Sequence, residues 1–469
     1  MLHGAAMRHP RPTLRTFAAA WLLAIAGAAA AATPAASDEE AITALQDAYA
    51  RAVVPGEQAD LHRELLATVL QRIKRSHATV VDLPAFASAA ATVVEELPAG
   101  TGDPADVFRK AINTALRPLD PYARYIDPRA LAGERGEATG SFVGVGIEVQ
   151  ASEGLVQIVN PIPGGPAARA GLRPGDLIVR VDDQPVQGVP LADALARIRG
   201  EPGTPIAITL RRAGLPGDFT VALTRDTIRR ELLRWSMEQD VLVLRLSSFS
   251  GSASGAVAQA VAEASASRTP RAVVLDLRGN PGGLLREGIR VADAFLSQGD
   301  IVSLRGSGSV LQRTWQADPD ELLPGVPMVV LVDRRSASAA ELVADALQFH
   351  GRATVLGQRS YGKGSVQSTY SLGENKGGLK LTTSLYHGPS GETVQRAGVA
   401  PDIELLPPAG GAAAPVRDDL APAVQPGRTR AHVPTSRCAP APASDPVLAC
   451  AVAYLLAGGA PAFAAAGTD

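Results

Sequence analysis

The sequence predicts a multidomain α/β protein with a helical N-terminal region, a small β-rich middle domain and a mixed α/β core. The chain has 469 residues, which is enough for two to three domains. Apolar residues recur at helical spacing between residues 61 and 97, and short alternating runs separated by glycine turns fill residues 140–225. Buried strands then alternate with helical patterns, which is typical of α/β proteins.

The first 32 residues are predicted to be a secretory signal peptide. Arg8, Arg11 and Arg15 form a basic start, a short apolar core spans Phe17 to Ala26, and small residues end at Ala32. We therefore expect export to the periplasm, with attachment to the inner membrane by an uncleaved signal as the alternative. The formal net charge is −2, so no nucleic-acid partner is expected.

The helical N-terminal region is predicted over residues 38–128. Apolar stripes run from Leu61 to Ile73 and from Phe86 to Leu97, and a further helix is predicted over Val107 to Leu116. These helices would pack on their neighbours or on a twin subunit. The segment Pro118 to Pro128 ends this region.

The strongest chemical signal lies just after the apolar run Met328 to Val332, which predicts a buried strand. A turn of small residues leads from this strand to Ser338, and Glu341 follows three residues later. Ser338 is therefore predicted at the start of a helix. Backbone N–H groups at a helix start can stabilise an oxyanion, and the N–H of Ala339 is the first such donor. The second donor should come from another loop at a strand end.

A serine hydroxyl is a weak nucleophile and needs a base within reach. Lys363 is the candidate, because it lies on a glycine-flanked loop one helix and one strand after Ser338. Its amine must be neutral to accept a proton, and burial would lower its pKa in that direction. From the residues alone, the alternative is that Ser338 only caps a helix and that Lys363 is a solvated loop lysine.

Four segments of this region carry a longer signature: Ser336 to Ala339 with Glu341, Gly351 to Ala353, Gly357 to Gly364, and Gln367. They resemble the carboxy-terminal processing peptidases, which are serine proteases with a Ser–Lys dyad. The resemblance implies that Ser338 is the nucleophile, that Lys363 is the general base and that Gln367 positions the lysine. It also implies a ClpP/crotonase-like peptidase core, which we place over residues 226–406.

A second element of the same resemblance is the run Asp276 to Gly283, DLRGNPGG. It implies a strand, a glycine turn and a helix that supply the second oxyanion donor. Gly283 is preferred over Gly282 for this role. Asp276 and Arg278 are expected to make structural polar contacts rather than to take part in chemistry.

The middle domain, residues 140–225, contains the run Ala170 to Ile178, AGLRPGDLI, and its strand order resembles a PDZ domain. PDZ domains bind an extended peptide as an added strand, while loop N–H groups hold its terminal carboxylate. A structural insert without a ligand is the alternative. By the resemblance, the peptide-binding residues are Phe142, Val143, Gly144, Val145 and Gly146.

Residues 407–469 are predicted to be a tail rich in proline and alanine that ends in a helix. The segment Pro407 to Pro442 is expected to be flexible, and Asp445 should cap a helix that runs to Leu456. Cys438 and Cys450 are the only cysteines. Between them they allow one local disulfide but no metal site.

The resemblance implies a serine endopeptidase that cleaves proteins at or near their C-terminal tails without a metal or cofactor. Its partners would be protein or peptide substrates with apolar C-terminal tails, and a homodimer or an adaptor protein is compatible with the family. An inactive PDZ scaffold and a latent protease covered by its PDZ domain are the alternatives. A Ser–His triad that uses His350 or His387 is a further alternative. Phe349 stands where several relatives carry Asp, so no carboxylate partner is expected there.

Overall fold

The computed structural model describes residues 36–128, 130–133, 141–152, 154–189, 191–229, 231–306, 313–406, 431–435, 438 and 445–459. The predicted signal peptide and most of the tail after residue 406 lie outside these ranges. None of the described helices combines the length and the apolarity that a membrane crossing requires.

The N-terminal region consists of four helices and one short strand, β1 (Arg124–Ile126). The helices are α1 (Asp38–Ala52), α2 (Glu57–Ser76), α3 (Leu83–Glu95) and α4 (Pro104–Leu119). Ser37, Asp82 and Asp103 cap three of them with side-chain oxygens, which explains where these helices begin. Their apolar faces form one core.

The middle domain is an antiparallel sheet with two helices. Its strands have the order β3-β4-β5-β7-β8, with β6 beside β5, and they enclose a hydrophobic core of their own. A two-stranded ribbon of β2 and β9 flanks the domain. The elements are β2 (Ser141–Gly144), β3 (Ile147–Ser152), β4 (Leu155–Pro161), α5 (Pro166–Arg169), β5 (Leu177–Val181), β6 (Gln184–Pro185), α6 (Leu191–Ile198), β7 (Pro205–Arg211), β8 (Phe219–Thr224) and β9 (Asp226–Arg229).

The C-terminal core is built on a seven-stranded sheet in the order β10-β11-β12-β15-β16-β19-β20, in which only β10 runs antiparallel to its neighbour. Helices α7, α8 and α9 cover one face of this sheet and α10 covers the other. The strands are β10 (Leu233–Glu238), β11 (Val241–Leu246), β12 (Ala272–Asp276), β15 (Met328–Val332), β16 (Thr354–Gly357), β19 (Ile403–Leu406) and β20 (Ala431–Pro434). The helices are α7 (Ala253–Ser267), α8 (Leu285–Asp293), α9 (Ala339–Phe349) and α10 (Pro446–Leu456).

A second sheet joins the core to the helical region. Its long central strand, β18, pairs with β1, β13 and β17. Leu379 and Leu381 of β18 are buried in the core of the four N-terminal helices. The helical region therefore packs directly on β18, the partner of the strand that follows the Lys363 loop. The remaining strands of this sheet are β13 (Asp300–Arg305), β14 (Arg313–Gln316), β17 (Ser365–Ser371) and β18 (Gly378–His387).

Part of the tail that is predicted to be flexible is ordered. Ala431–Pro434 forms β20 and pairs in parallel with β19 at the sheet edge. A disulfide between Cys438 and Cys450 then ties the chain to α10. The unpaired backbone edge of β19 accounts for the added strand, because such an edge offers hydrogen bonds to any segment tethered nearby.

Candidate active site

The site forms at the carboxyl ends of two neighbouring parallel strands, β12 and β15. Their register pairs Leu275 with Val330, so the loops that follow both strands emerge at one edge of the sheet. The β15 loop leads to Ser338, which immediately precedes α9 as predicted. Ser336 fixes this loop, because its buried hydroxyl donates to the Leu277 carbonyl at 2.8 Å.

Ser338 itself has a strained backbone, with φ at +57° and ψ at −117°. Residues with side chains rarely adopt a positive φ, and such strain costs about 1–3 kcal/mol. A sharp turn of this kind between a strand and a helix exposes a nucleophilic side chain above the sheet. The hydroxyl of buried Tyr386 donates to the Ser338 carbonyl at 2.9 Å and supports this conformation.

The glycine turn after β12 packs closely against the Ser338 turn. A Cβ atom on Gly282 would lie 2.7 Å from the Ser338 Cβ and 2.6 Å from the Ala337 carbonyl oxygen, so only glycine fits. The N–H of Gly282 donates to the side chain of Asn280 at 2.8 Å. Of the two glycines predicted as oxyanion donors, Gly282 therefore has an N–H that already donates to Asn280.

The N–H groups of Gly283 and Ala339 differ from that of Gly282. Neither donates a hydrogen bond to any acceptor in the part of the chain that the structure describes. Both residues line the same cleft as Ser338. Both amides are therefore available at the cleft as donors, which is what an oxyanion hole needs.

Glu341 joins the Ser338 turn to the Lys363 loop. Its side chain is fully buried, and its Oε2 atom accepts the N–H of Ser338 and the N–H of Lys363, both at 2.8 Å. Its Oε1 atom accepts the N–H of Gly362 at 2.6 Å and the hydroxyl of Ser360 at 2.5 Å. Burial raises the pKa of Glu341, and these four donated hydrogen bonds oppose the rise. Because all four partners are donors, we assign the carboxylate as ionised.

Lys363 is half-buried in the wall of the cleft. Burial, and then the positive charge of Lys380, lowers its pKa. Its Nζ atom lies 5.0 Å from the centroid of the Tyr122 ring. Within the described ranges no hydrogen bond joins this amine to Ser338, although both residues line the same cleft.

Gln367 also lines the cleft. Its amide nitrogen donates to the hydroxyls of Ser365 at 2.9 Å and Thr382 at 3.2 Å. These contacts fix the orientation of the amide, and none of its hydrogen bonds among the described residues goes to Lys363.

The cleft has a volume of about 600 Å³. It runs along the hairpin of β17 and β18 and combines apolar walls with a row of hydroxyl and amide groups. Among the described residues that line it, two side chains are charged, Lys363 and Lys380, and both are cations. The lining residues are Leu131, Pro281, Gly282, Gly283, Leu284, Leu285, Ser338, Ala339, Lys363, Ser365, Val366, Gln367, Thr369, Ser371, Lys380 and Tyr386.

Neither histidine of the alternative triad lines the cleft. His350 ends α9 at the end opposite to Ser338, where its Nε2 atom lies 2.8 Å from the carbonyl oxygen of Asp300. His387 ends β18. The geometry therefore gives the Ser–His alternative no support.

Asp276 and Arg278 make structural contacts, as expected. Arg278 binds the carboxylate of Asp276 and, with two further hydrogen bonds of 2.8 and 2.7 Å, that of Asp445 at the start of α10. The terminal helix is thereby held against the strand that carries the glycine turn.

Three of the five residues predicted to bind a peptide carboxylate lie in a strand rather than in a loop. Phe142, Val143 and Gly144 belong to β2 and pair with β9. Only Val145 and Gly146 remain as the turn before β3, and Gly146 has a φ of +75° that favours glycine. Their carbonyl groups accept hydrogen bonds from Ala167 and Ile162.

Comparison with known proteins gives consistent results. The family model for peptidase family S41 matches residues 240–405, and the model for a PDZ domain matches residues 157–212. A carboxy-terminal-processing protease of Bartonella bacilliformis is 40% identical over 310 residues, which cover 65% of this chain and 71% of that protein. The chloroplastic C-terminal processing peptidase of Tetradesmus obliquus is 33% identical over 316 residues, which cover 63% of this chain and 68% of that protein.

Among solved structures, a photosystem II D1 C-terminal processing protease matches with a TM-score of 0.51 and 29% identity. The match covers 75% of this chain and 93% of that structure. The predicted fold class, a helical N-terminal region followed by a PDZ domain and a mixed α/β peptidase core, is thereby confirmed.

Proposed function

The chain belongs to peptidase family S41 as a serine-type C-terminal processing peptidase, and from this premise we propose that Ser338 is its nucleophile and Lys363 its general base. The observation that carries the proposal is the position of Glu341. One oxygen of this buried carboxylate accepts the N–H groups of both residues, which fixes their backbones side by side in one cleft.

The reaction begins when neutral Lys363 takes the proton of the Ser338 hydroxyl, which attacks the peptide carbonyl. The N–H groups of Ala339 and Gly283 stabilise the oxyanion. Lys363 then donates its proton to the leaving amine, and water hydrolyses the acyl-enzyme by the same route in reverse. Burial and the charge of Lys380 lower the pKa of Lys363 and so increase the fraction of neutral base.

Gln367 is assigned to positioning of the base. Ser365 and Thr382 accept hydrogen bonds from its amide nitrogen and thereby fix the plane of the amide. We expect the amide oxygen to accept an N–H of Lys363 once the amine has moved from Tyr122 to Ser338.

Replacement of Ser338 and Lys363 by alanine tests the dyad. We expect Ser338→Ala to lose activity by several powers of ten and Lys363→Ala to lose about 10²- to 10⁴-fold. The assay is mass spectrometry of products from a peptide that ends in small apolar residues. Ser88→Ala and Lys110→Ala change the same residue types on exposed helix positions outside the cleft and should leave turnover unchanged.

Two outcomes would overturn the assignment. Cleavage by Ser338→Ala at the wild-type rate would exclude the nucleophile, and unchanged turnover by Lys363→Ala would exclude the base. Binding of the peptide by the wild type without any product would instead favour an inactive scaffold.

A latent form of the enzyme is favoured by the position of the Lys363 amine over the Tyr122 ring. We propose that the PDZ domain recruits C-terminal tails and that a docked tail shifts this amine toward Ser338. A non-cleavable peptide with a free C-terminus should then stimulate cleavage of a second substrate. Absence of stimulation at saturating peptide would refute this regulation and leave the dyad untouched.

Export to the periplasm is the proposed location. The disulfide between Cys438 and Cys450 supports it, because disulfides persist in oxidising compartments. Fractionation of expressing cells tests this proposal, and a purely cytosolic product with a reduced thiol pair would contradict it.

A further inference from the structure

The first proposed oxyanion donor, the N–H of Ala339, shares its peptide unit with the carbonyl group of Ser338. Ser338 is the residue whose φ of +57° strains the turn before α9. Because a peptide unit is planar, its N–H and its carbonyl point to opposite sides. A contact that holds the Ser338 carbonyl therefore also sets the direction of the Ala339 N–H.

Among the described residues, three donors reach the Ser338 carbonyl. Two of them are N–H groups of α9 itself, that of Glu341 at 2.9 Å and that of Leu342 at 3.0 Å. The third is the hydroxyl of Tyr386 at 2.9 Å. The two helix donors move with the turn that they belong to, whereas Tyr386 belongs to β18. The hydroxyl is therefore the contact that holds this peptide from outside the strained segment.

Tyr386 is itself firmly anchored. Its side chain is only 2% exposed, its N–H donates to the carbonyl of Gly364 at 2.9 Å, and it pairs with Leu304 of β13. Burial, and then the charges of Glu341 and Asp345, raise the pKa of its hydroxyl well above the usual value. The hydroxyl therefore stays protonated and remains a hydrogen-bond donor throughout the neutral pH range.

The second oxyanion donor, the N–H of Gly283, is held in a corresponding way by backbone groups. It shares its peptide unit with the carbonyl of Gly282, which accepts the N–H of Phe249 at 2.9 Å. The carbonyl of Phe249 in turn accepts the N–H of Leu284 at 2.6 Å. Each donor amide thus has a carbonyl that is hydrogen-bonded by a neighbouring element. At the Ser338 peptide this outside partner is a side chain, so a substitution can remove it.

We propose that Tyr386 is a positioning residue of the oxyanion hole. Its hydroxyl fixes the plane of the Ser338–Ala339 peptide, so the Ala339 N–H is oriented for the oxyanion before the substrate binds. A hydrogen bond donated to the carbonyl also polarises the peptide and strengthens its N–H as a donor. The inference rests on the proposed cleavage by Ser338 in this cleft.

Tyr386→Phe tests the proposal, because it removes the hydroxyl but keeps the ring, the backbone contact with Gly364 and the helix donors to Ser338. Complete loss of one oxyanion donor lowers kcat by about 10²- to 10³-fold. Here the donor is still present but is held less firmly, so we expect kcat to fall by roughly 10- to 50-fold. KM should change by less than about twofold. The assay is turnover of the peptide that ends in small apolar residues.

A peptide aldehyde separates an effect on the oxyanion from a general loss of structure. The Ser338 hydroxyl would add to the aldehyde carbon while its proton passes to Lys363, which leaves an oxyanion on the tetrahedral adduct. The inhibition constant of the aldehyde should rise in Tyr386→Phe by the factor by which kcat falls. This constant describes the folded fraction alone, so partial unfolding does not change it. The pH profile should keep its shape, because the base is unaltered.

Tyr49→Phe is the matched control. Tyr49 is fully buried in α1, its hydroxyl donates to the carbonyl of Pro104 at 2.8 Å, and it is not among the described residues that line the cleft. The control should lose a comparable amount of stability to urea and keep the wild-type kcat and aldehyde affinity.

Two non-natural side chains in place of Tyr386 provide a second test. Para-aminophenylalanine keeps a donor at the end of the ring and should restore most of the kcat. Para-fluorophenylalanine fills the space of the hydroxyl without donating, so it should behave like Tyr386→Phe. Equal activity of these two variants would overturn the proposal.

The remaining outcomes separate this proposal from the proposed function. An unchanged kcat in Tyr386→Phe, or a lowered kcat with wild-type aldehyde affinity, overturns the role of Tyr386 while Ser338 keeps its own. A lowered kcat that recovers at higher pH also overturns it, because the hydroxyl would then act through Lys363. Cleavage by Ser338→Ala at the wild-type rate would instead refute the catalytic assignment on which the inference rests.

Discussion

Replacement of Glu341 by glutamine should inactivate the enzyme without removing any group that touches the substrate. In the wild type each carboxylate oxygen accepts two hydrogen bonds, and one oxygen holds both Ser338 and Lys363. Glutamine has nearly the same shape, but it replaces one of these acceptors by an NH₂ donor. Whichever way the amide is turned, two of the four donors then face another donor.

The size of the effect follows from these two lost contacts. A buried donor that loses its acceptor costs about 1–3 kcal/mol, so Glu341→Gln should destabilise the core by roughly 2–6 kcal/mol. The loops can relieve part of this cost by moving apart. A displacement of about 1 Å between reacting groups is enough to lower kcat by roughly 100-fold. We therefore expect both losses, with kcat affected much more than KM.

Urea unfolding and peptide turnover measure the two effects on the same preparation. Asp345→Asn is the matched control, because Asp345 lies one turn further along α9 and is also buried. Among the described residues it accepts no hydrogen bond from the Ser338 turn or the Lys363 loop. The control should keep its activity. A Glu341→Gln enzyme that turns over within about threefold of the wild type would refute the view that this carboxylate fixes Ser338 and Lys363 for activity.

Two further predictions concern neighbouring groups. The Tyr122 ring stabilises the charged form of Lys363, so Tyr122→Leu should lower the pKa of the amine. The variant should then raise kcat/KM about two- to fivefold on the acidic side of the pH profile. Tyr122→Phe should match the wild type, and an unchanged profile in the leucine variant would exclude the contact. Burial, and then the charge of Glu341, raises the pKa of Asp345 from 3.8 to about 7. Because the folded pKa is raised, the neutral carboxyl of Asp345 contributes fully to stability below pH 3.8, and this contribution is lost as the pH rises through about 7. The free energy of unfolding should change by roughly 4 kcal/mol over this range, and Asp345→Asn should abolish the change. Urea unfolding at about pH 4 and about pH 8 measures it, and parallel pH profiles for both proteins would contradict the shift.

The location of Ser338 could be predicted from sequence because its determinants are local. An apolar strand, a turn of small residues and a helical pattern occur in uninterrupted order, and Glu341 marks the helix start. The second function of Glu341 could not be found in this way. Its contact with Lys363 bridges a helix and a strand, and no local pattern encodes which loop returns to a buried carboxylate.

The same limit explains the other residues that sequence reasoning missed. Tyr386 supports the Ser338 turn from β18, and Asp445 holds Arg278 from the terminal helix, far along the chain in each case. The terminal helix itself was predictable from its cap at Asp445, whereas the side of the sheet on which it packs depends on tertiary structure. The sequence of residues 226–235 is compatible with either a helix or a strand. In the structure this segment includes β9 and the start of β10, because pairing with neighbouring strands favours the extended conformation.

The position of Lys363 connects the base to the N-terminal helices. Asp120, at the end of α4, accepts the N–H of Tyr122 and the N–H of Thr382 in β18, both at 2.9 Å. Burial opposes its ionisation, but the hydrogen bonds from Thr382 and Tyr122, together with His77 at 3.7 Å, outweigh burial and hold its pKa at about 2. The residue whose ring contacts the amine is tied in this way to the helical region and to the strand of the cleft. A movement of α4 would therefore shift the backbone of Tyr122, whose ring lies beside the Lys363 amine.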